Sequence, residues 1–175
     1  MRLLARILLF LTAMLVLMWL CRTVLYRAVV HYRIVGERSA AGTLSSVGSA
    51  PLDVEAAIRM ALDTTASRLH FSTGRVSSAP EKLNPGSPAN CIGYAALFAS
   101  LLRGHFAAAG LDEQWSVDHV IGTLYLGDRD LHKAFDSSFW KDHDIVRITD
   151  TRSGSMIYID PTLYDALGIG RVSGP

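Results

Sequence analysis

Residues 90–110, NCIGYAALFASLLRGHFAAAG, decide how this chain is read. From Ile92 to Leu102 nearly every residue is apolar or small, which suits a helix buried on most of its faces rather than one lying half in water. Asn90 is a good N-cap, able to hold a free first-turn N–H with its side chain, and Gly110 is a good terminator. Cys91 then opens the helix. There the macrodipole and the unpaired N–H groups favour a thiolate over a thiol and can receive an oxyanion. A lone cysteine among apolar neighbours is also commonly a small core residue, so its meaning depends on what the rest of the chain brings to it.

The 175 residues allow one domain of ordinary size and an N-terminal appendage. The net charge of +1, without a lysine or arginine run beyond the N-terminal segment, speaks against nucleic acid as a partner. There are two cysteines, and Cys21 lies in the apolar N-terminal run, so a disulfide framework is excluded and Cys91 is expected to be a free thiol. With no Gly-rich phosphate loop and no metal-spaced cluster, neither a cofactor nor a metal is expected.

Ile7 to Cys21 is an uncharged apolar run, with Arg2 and Arg6 before it and Arg22 and Arg27 after it. Extended to Leu3, with Arg6 snorkelling, it reaches about 19 residues, close to the roughly 20 that a bilayer requires. No small-x-small cleavage site follows, and Leu20 is too large to precede a lipidated cysteine, so residues 3–21 read as an uncleaved membrane anchor. The arginines after the run lean towards a cytoplasmic domain, whereas a short basic segment before an apolar run is how an export signal begins; the exported side is the expectation taken here. Residues 1–34 are thus anchor and juxtamembrane segment. Residues 35–50, which include GERSAAGTLSSVGSA, read as a linker rich in Gly, Ser and Ala, and residues 51–175 as the folded domain.

Within that domain, Pro51 to His70 carries apolar residues at helical spacing, with Asp53 and Glu55 suited to the first turn. The following FSTGRVSSAPEKLNPGSP is turn-rich and delivers the chain to Cys91. After Gly110 the period changes: Trp115–Leu126, Asp144–Thr149 and Met156–Asp160 read as strands. The long polar segment GDRDLHKAFDSSFWKD between the first two, with room for one helical turn and aromatic residues at Phe135, Phe139 and Trp140, is a candidate for covering a site.

Asp150–Gly154, DTRSG, is a turn signal, so the second and third strands should form an antiparallel hairpin. An even loop centred between Thr151 and Arg152 would set His143 directly opposite Asp160. Opposed residues have Cβ atoms about 4.5–5.5 Å apart, within hydrogen-bonding reach for an imidazole and a carboxylate. That pair is what a cysteine nucleophile needs, a base and a carboxylate to orient it. The alternative is that both are polar strand ends facing water. Of the remaining histidines, His105 lies on the Cys91 helix about 21 Å along it at 1.5 Å per residue. His119 is the rival base, although the adjacent Asp118 points to the opposite face of its strand.

These segments resemble the transglutaminase-like cysteine peptidase superfamily. The nucleophile segment of that family is similar to NCIGYAALFASLLRGHFAAAG, its histidine strand to HDIVRI at 143–148, and its aspartate strand to YIDPT at 158–162. The resemblance covers roughly residues 51 to 165. It implies Cys91 as nucleophile, His143 as base and acid, and Asp160 as orienting carboxylate in a papain-like α+β fold, acting on protein or peptide substrates. Ile145 departs from the pattern, standing where the family usually has an aromatic residue. The expectation is an α+β protein in which the nucleophile helix packs on an antiparallel sheet behind an N-terminal transmembrane helix. Its function is expected to be thiol chemistry on amide bonds through an acyl-enzyme that water or an amine resolves. Two alternatives stand beside it: a catalytically silent domain that binds a protein or peptide at the membrane, and an amidase or acyltransferase on a small or cell-wall substrate.

Overall fold

The structure, a computed structural model, describes residues 2–39, 42–44, 51, 53–74, 76–135 and 142–175. The central helix α4 (Cys91–Ala109) forms for the reasons its sequence supplies. The Asn90 side chain accepts from the Gly93 N–H at 3.3 Å, and Gly110 closes the helix in the left-handed conformation at φ 66°. Tyr94, Leu97, Phe98 and Leu102 are 0% exposed, and burying a side chain of this size contributes roughly 1.5–3 kcal/mol. Helix α3 (Val54–Arg68), capped by the Asp53 side chain on the Ala56 N–H, lays Ala57, Ile58, Ala61 and Leu62 against it.

On the other side of α4 stands the sheet. Strands β4 (Trp115–Leu126), β6 (His143–Asp150) and β7 (Met156–Ile159) lie where the alternating pattern puts them. Two further strands, β1 (Val30–Glu37) and β8 (Arg171–Val172), complete the order β1-β4-β6-β7-β8, antiparallel throughout, with the short β5 (Arg129–Asp130) beside β4. The two edges of this sheet then meet. The Tyr32 N–H donates to the Ser173 carbonyl at 2.9 Å, and His31 bridges Ser173 in parallel, which curls the sheet towards a barrel. Period-two alternation divides the side chains: Val117, Val146, Ile148 and Ile159 face the helices, whereas Tyr32, Val120, Leu124, Ile145 and Val172 fill the inner side. A parallel pair, β2 (Leu69–Phe71) and β3 (Ser87–Ala89), leads into α4.

Two expectations are corrected, the bounds of the linker and the register of the hairpin. The linker read over residues 35–50 begins too early, because Val30–Glu37 is a full strand paired with β4 and Tyr32 is 1% exposed; residues 40, 41 and 45–50 lie outside the described residues. Glycine and charge at Gly36 and Glu37 suggested a loop, but Gly36 follows a bulge at the strand's end and Glu37 pairs with Arg147. The folded unit therefore starts at Val30 rather than Pro51. The long segment after β4 holds β5 and the one-turn α5 (Leu131–Ala134), capped by Asp130; Phe139 and Trp140 lie outside the described residues. The hairpin loop is centred one position later than expected, between Arg152 and Ser153. Asp150 Oδ1 accepts from the Arg152 N–H at 2.9 Å, and Gly154 takes φ 73°, so a four-residue loop closes on the Asp150 N–H to Ser155 carbonyl bond. His143 consequently does not face Asp160 directly. Asp160 lies beyond the last ladder pair, Val146 with Ile159, and starts helix α6 (Pro161–Leu167) as its N-cap.

The N-terminal apolar run is helix α1 (Arg2–Leu20), followed after a 67° bend by α2 (Arg22–Val29). Among the described residues, α4 and the bent pair α1–α2 are long and apolar enough for a membrane crossing, and α4 is occupied in the core.

A chain begun at Arg22 is expected to unfold in one cooperative thermal transition. One begun at Pro51 is expected to lose it, because without β1 the inner cluster loses Val30 and Tyr32 and β4 gains a bare edge. Circular dichroism melts of the two proteins check this.

Candidate active site

The ends of four elements converge at one place. Helix α4 contributes Cys91 at its first turn, β6 contributes His143 and Asp144 at its start, β1 contributes Tyr32, and α6 contributes Asp160 at its cap. His143 Nε2 lies 2.7 Å from Asp160 Oδ2. A register shifted by two residues changes which residue is opposite but keeps both side chains on one face, so diagonal neighbours still meet. Cys91 shares its cleft with the imidazole and contributes to raising the ring's pKa. Sequence reasoning named these three residues, and the fold brings them together.

Asp160 is 1% exposed, and both of its carboxylate oxygens have partners. Its Oδ1 accepts from the Leu163 N–H at 2.9 Å, and its Oδ2 accepts from Tyr32 Oη at 2.9 Å as well as meeting His143. Burial alone would raise its pKa, but the His143 charge and these hydrogen bonds outweigh burial and hold the carboxyl below the ordinary range. The same balance acts in reverse on His143. Burial works against the charged ring, yet Asp160 and then Cys91 prevail and push its pKa up to about 10. The resting arrangement is therefore an imidazolium held between a carboxylate and the cysteine sulfur. Tyr26 Oη, 2.8 Å from Tyr32 Oη, extends the network towards α2.

The rival histidine has a partner of its own. His119 Nε2 lies 2.8 Å from Asp144 Oδ1, both residues being buried, and Arg38 grips the same carboxylate through Nε and through a second nitrogen at 3.1 Å. Asp118 does point away from His119, to Arg147, as its neighbouring position on the strand requires. Asp144 was the missed partner. It pairs with Ile121, two residues beyond His119 along β4, so the two side chains share one face diagonally. Cys91 Sγ lies 3.9 Å from Asp144 Oδ2, which places the sulfur over both histidine–aspartate pairs. Asp144 stays below the ordinary carboxylate range because His119 and Arg38 overcome its burial. Tyr32 and Arg38 were missed for one reason, their place in segments that read as juxtamembrane and linker.

Cys91 sits in an open cleft of about 340 Å³ with Arg38, Asn90, Asp142, His143 and Thr162 on its walls. The first-turn N–H groups of Cys91 and Ile92 have no intrahelical partner, since the Tyr94 N–H makes the first helical bond, to Asn90. They are the groups best placed by chemistry to receive an oxyanion. Ile145, where an aromatic was expected, is 0% exposed in the inner cluster and does not line the cleft. Among the described residues no group of His, Cys, Asp and Glu is arranged to hold a metal. Comparison with protein families, curated proteins and solved structures found no match.

The His143 pKa carries a testable sign. A raised folded value means that this group's stabilisation is complete below the ordinary imidazole value of about 6.5 and is lost as pH climbs through about 10. Asp160, depressed when folded, loses its contribution only as pH falls through its lowered value. The His143 ring signal in NMR is expected to titrate near 10. In Asp160→Asn it should fall back towards the ordinary imidazole value, and the stability gap between the wild type and His143→Gln should narrow from pH 7 to pH 10.

Proposed function

We propose that this chain is a thiol enzyme that opens amide bonds of a protein or peptide substrate through an acyl-enzyme on Cys91, in a transglutaminase-like, papain-like core. The observation carrying this reading is the His143–Asp160 contact of 2.7 Å at the mouth of a cleft that also holds Cys91 at a helix N-terminus. The Cys91 sulfur, its proton resident on His143, attacks the carbonyl carbon, forming the C–S bond, while the carbonyl π electrons move to oxygen and the oxygen gathers charge towards the first-turn N–H groups of α4. The C–N bond breaks and His143 hands its proton to the departing amine. Water or a second amine then gives its proton to His143 and its lone pair to the thioester carbon, and the thiolate leaves with the C–S electron pair. Asp160 keeps the ring oriented throughout and favours its charged form. Tyr32 and the α6 cap hold Asp160 in turn.

Helix α1 fits this function as a membrane anchor. Its apolar side chains from Leu4 to Leu20 are broadly exposed, with Arg22 over the Trp19 ring at the domain end, which is the surface a bilayer would cover. The catalytic domain is assigned to the exported side.

The test is a p-nitrophenyl acetate burst read with intact-protein mass spectrometry. The wild type is expected to gain one acetyl group on Cys91, and Cys91→Ala none. His143→Ala should slow acylation by a factor on the order of a thousand or more, and Asp160→Asn by on the order of a hundred or more, since the members of one triad act as a unit. His119→Gln should cost much less. Equal losses at His119 and His143 would move the base to β4, and a folded wild type that never acylates would leave the domain a silent binder.

A further inference from the structure

A second cavity, of about 410 Å³, lies behind the catalytic imidazole. Its walls are almost wholly apolar, from Tyr26, Val30, Leu124, Leu131, Leu163 and Ala166. It shares Phe71, His143 and Thr162 with the Cys91 cleft, and Cys91 itself does not line it. Its size is within the roughly 300–1,000 Å³ of ligand sites, which are typically apolar with a few convergent polar groups. One such group stands at the junction: Thr162 Oγ1 is buried without a hydrogen-bond partner, a cost that a bound polar atom would relieve.

Two features identify the occupant. The cavity adjoins the Cys91 cleft at His143, and His143 is the group that exchanges protons with the amine leaving or entering the acyl-enzyme. A chain lying in it therefore belongs to that amine rather than to the acyl part on sulfur. Tyr26 and Val30 also come from the segment that follows α1 directly. Around that point Val24, Leu25, Val29, Leu126 and Leu167 are all exposed, with Leu126 paired to Val30 and the Leu167 carbonyl accepting from Arg22 Nε at 2.6 Å. Apolar side chains thus gather where the anchor leaves the domain. Covering them needs a bilayer surface rather than water.

We infer that the apolar cavity behind His143 receives the hydrocarbon chain of a membrane lipid amine, which serves as leaving group or acceptor of the acyl group on Cys91. This rests on the acyl-enzyme reading and names the second substrate. In the transfer direction the amine nitrogen attacks the thioester carbon, the C–N bond forms, the C–S bond breaks with its electrons returning to sulfur, and the amine proton passes to His143. Thr162 Oγ1 is placed to hydrogen-bond the polar head as the chain enters.

The experiment uses the full chain in detergent, acylated with p-nitrophenyl acetate and offered ethylamine, butylamine or hexylamine, which dissolve in water and are alike in basicity. Mass spectrometry reads the ratio of N-alkylacetamide to acetate. The ratio is expected to rise by up to about fourfold per added methylene, the full worth of burying a methylene. Ala166→Trp, at an exposed position on the cavity wall, should flatten that rise. A flat series in the wild type overturns the proposal. So does a dependence that appears only when the acyl donor is lengthened from acetyl to hexanoyl, which would assign the cavity to the acyl side. Leucinamide partitioning as well as hexylamine overturns it too, in favour of a peptide side chain. Failure of Cys91 to acylate at all is a separate outcome that removes the underlying enzyme reading along with the lipid one.

Discussion

The buried carboxylate of Asp160 is the group on which the rest of this site depends. A charge that is 1% exposed is tolerable only when it is paired and hydrogen-bonded, and here each of its three contacts ties in another element. One oxygen caps α6, the other joins β1 through Tyr32 and β6 through His143. Its backbone takes part as well, with its N–H donated to Gly170 and its carbonyl accepting from Tyr164. Removing any one partner leaves the remaining charge under-satisfied in a low dielectric, where that cost is largest. Orientation of the imidazole and integrity of the fold at this corner are therefore the same physical requirement.

Consecutive residues of β6 serve two different networks because a strand turns alternate side chains to opposite faces. His143 looks inward to Tyr32 and Asp160, whereas Asp144 looks to the helix side, where His119 and Arg38 hold it. The first turn of α4 arrives at the end of that strand, so the sulfur reaches both networks. The two pairs differ in what is left free. Asp144 is shared with a permanent cation, and His119 is 3% exposed, so that pair functions as a buried brace under the cleft. His143 lines open cleft and cavity alike and is the more accessible of the two histidines.

Much of the plan is written locally and was readable as such. Asn90 and Gly110 mark both ends of α4, and the β-branched runs mark β4, β6 and β7 to within a residue. The site residues were legible because periodicity fixes which face a side chain takes, and a register error of two leaves that face unchanged. What escaped was set by tertiary contact. VHYRIVGE has strand character, but standing between an apolar helix and a Gly/Ser-rich segment it read as a connection, and only pairing with β4 makes it part of the fold. Asp160 before Pro161 carried a local cap signal, its carboxylate accepting from the Leu163 N–H three residues on, but its links to His143 and Tyr32, 17 and 128 residues away, had no local sign. The His119–Asp144 contact likewise depends on the β4–β6 register, which no local signal fixes.

The meeting of the sheet's edges has a consequence for how the protein is made. Tyr32 is among the first residues of the folded unit to be synthesised, and the strand that carries it is closed by a hydrogen bond to Ser173. Until that late segment arrives, β1 has β4 on one side and nothing on the other, and the carboxylate that Tyr32 must satisfy has not been translated. Loop closure over such a separation is slow, and unpaired edges are exposed while it waits. The corner around His143 is therefore complete only when segments 128 residues apart have met: α4 can form early, but the Tyr32–Asp160–His143 contacts close late.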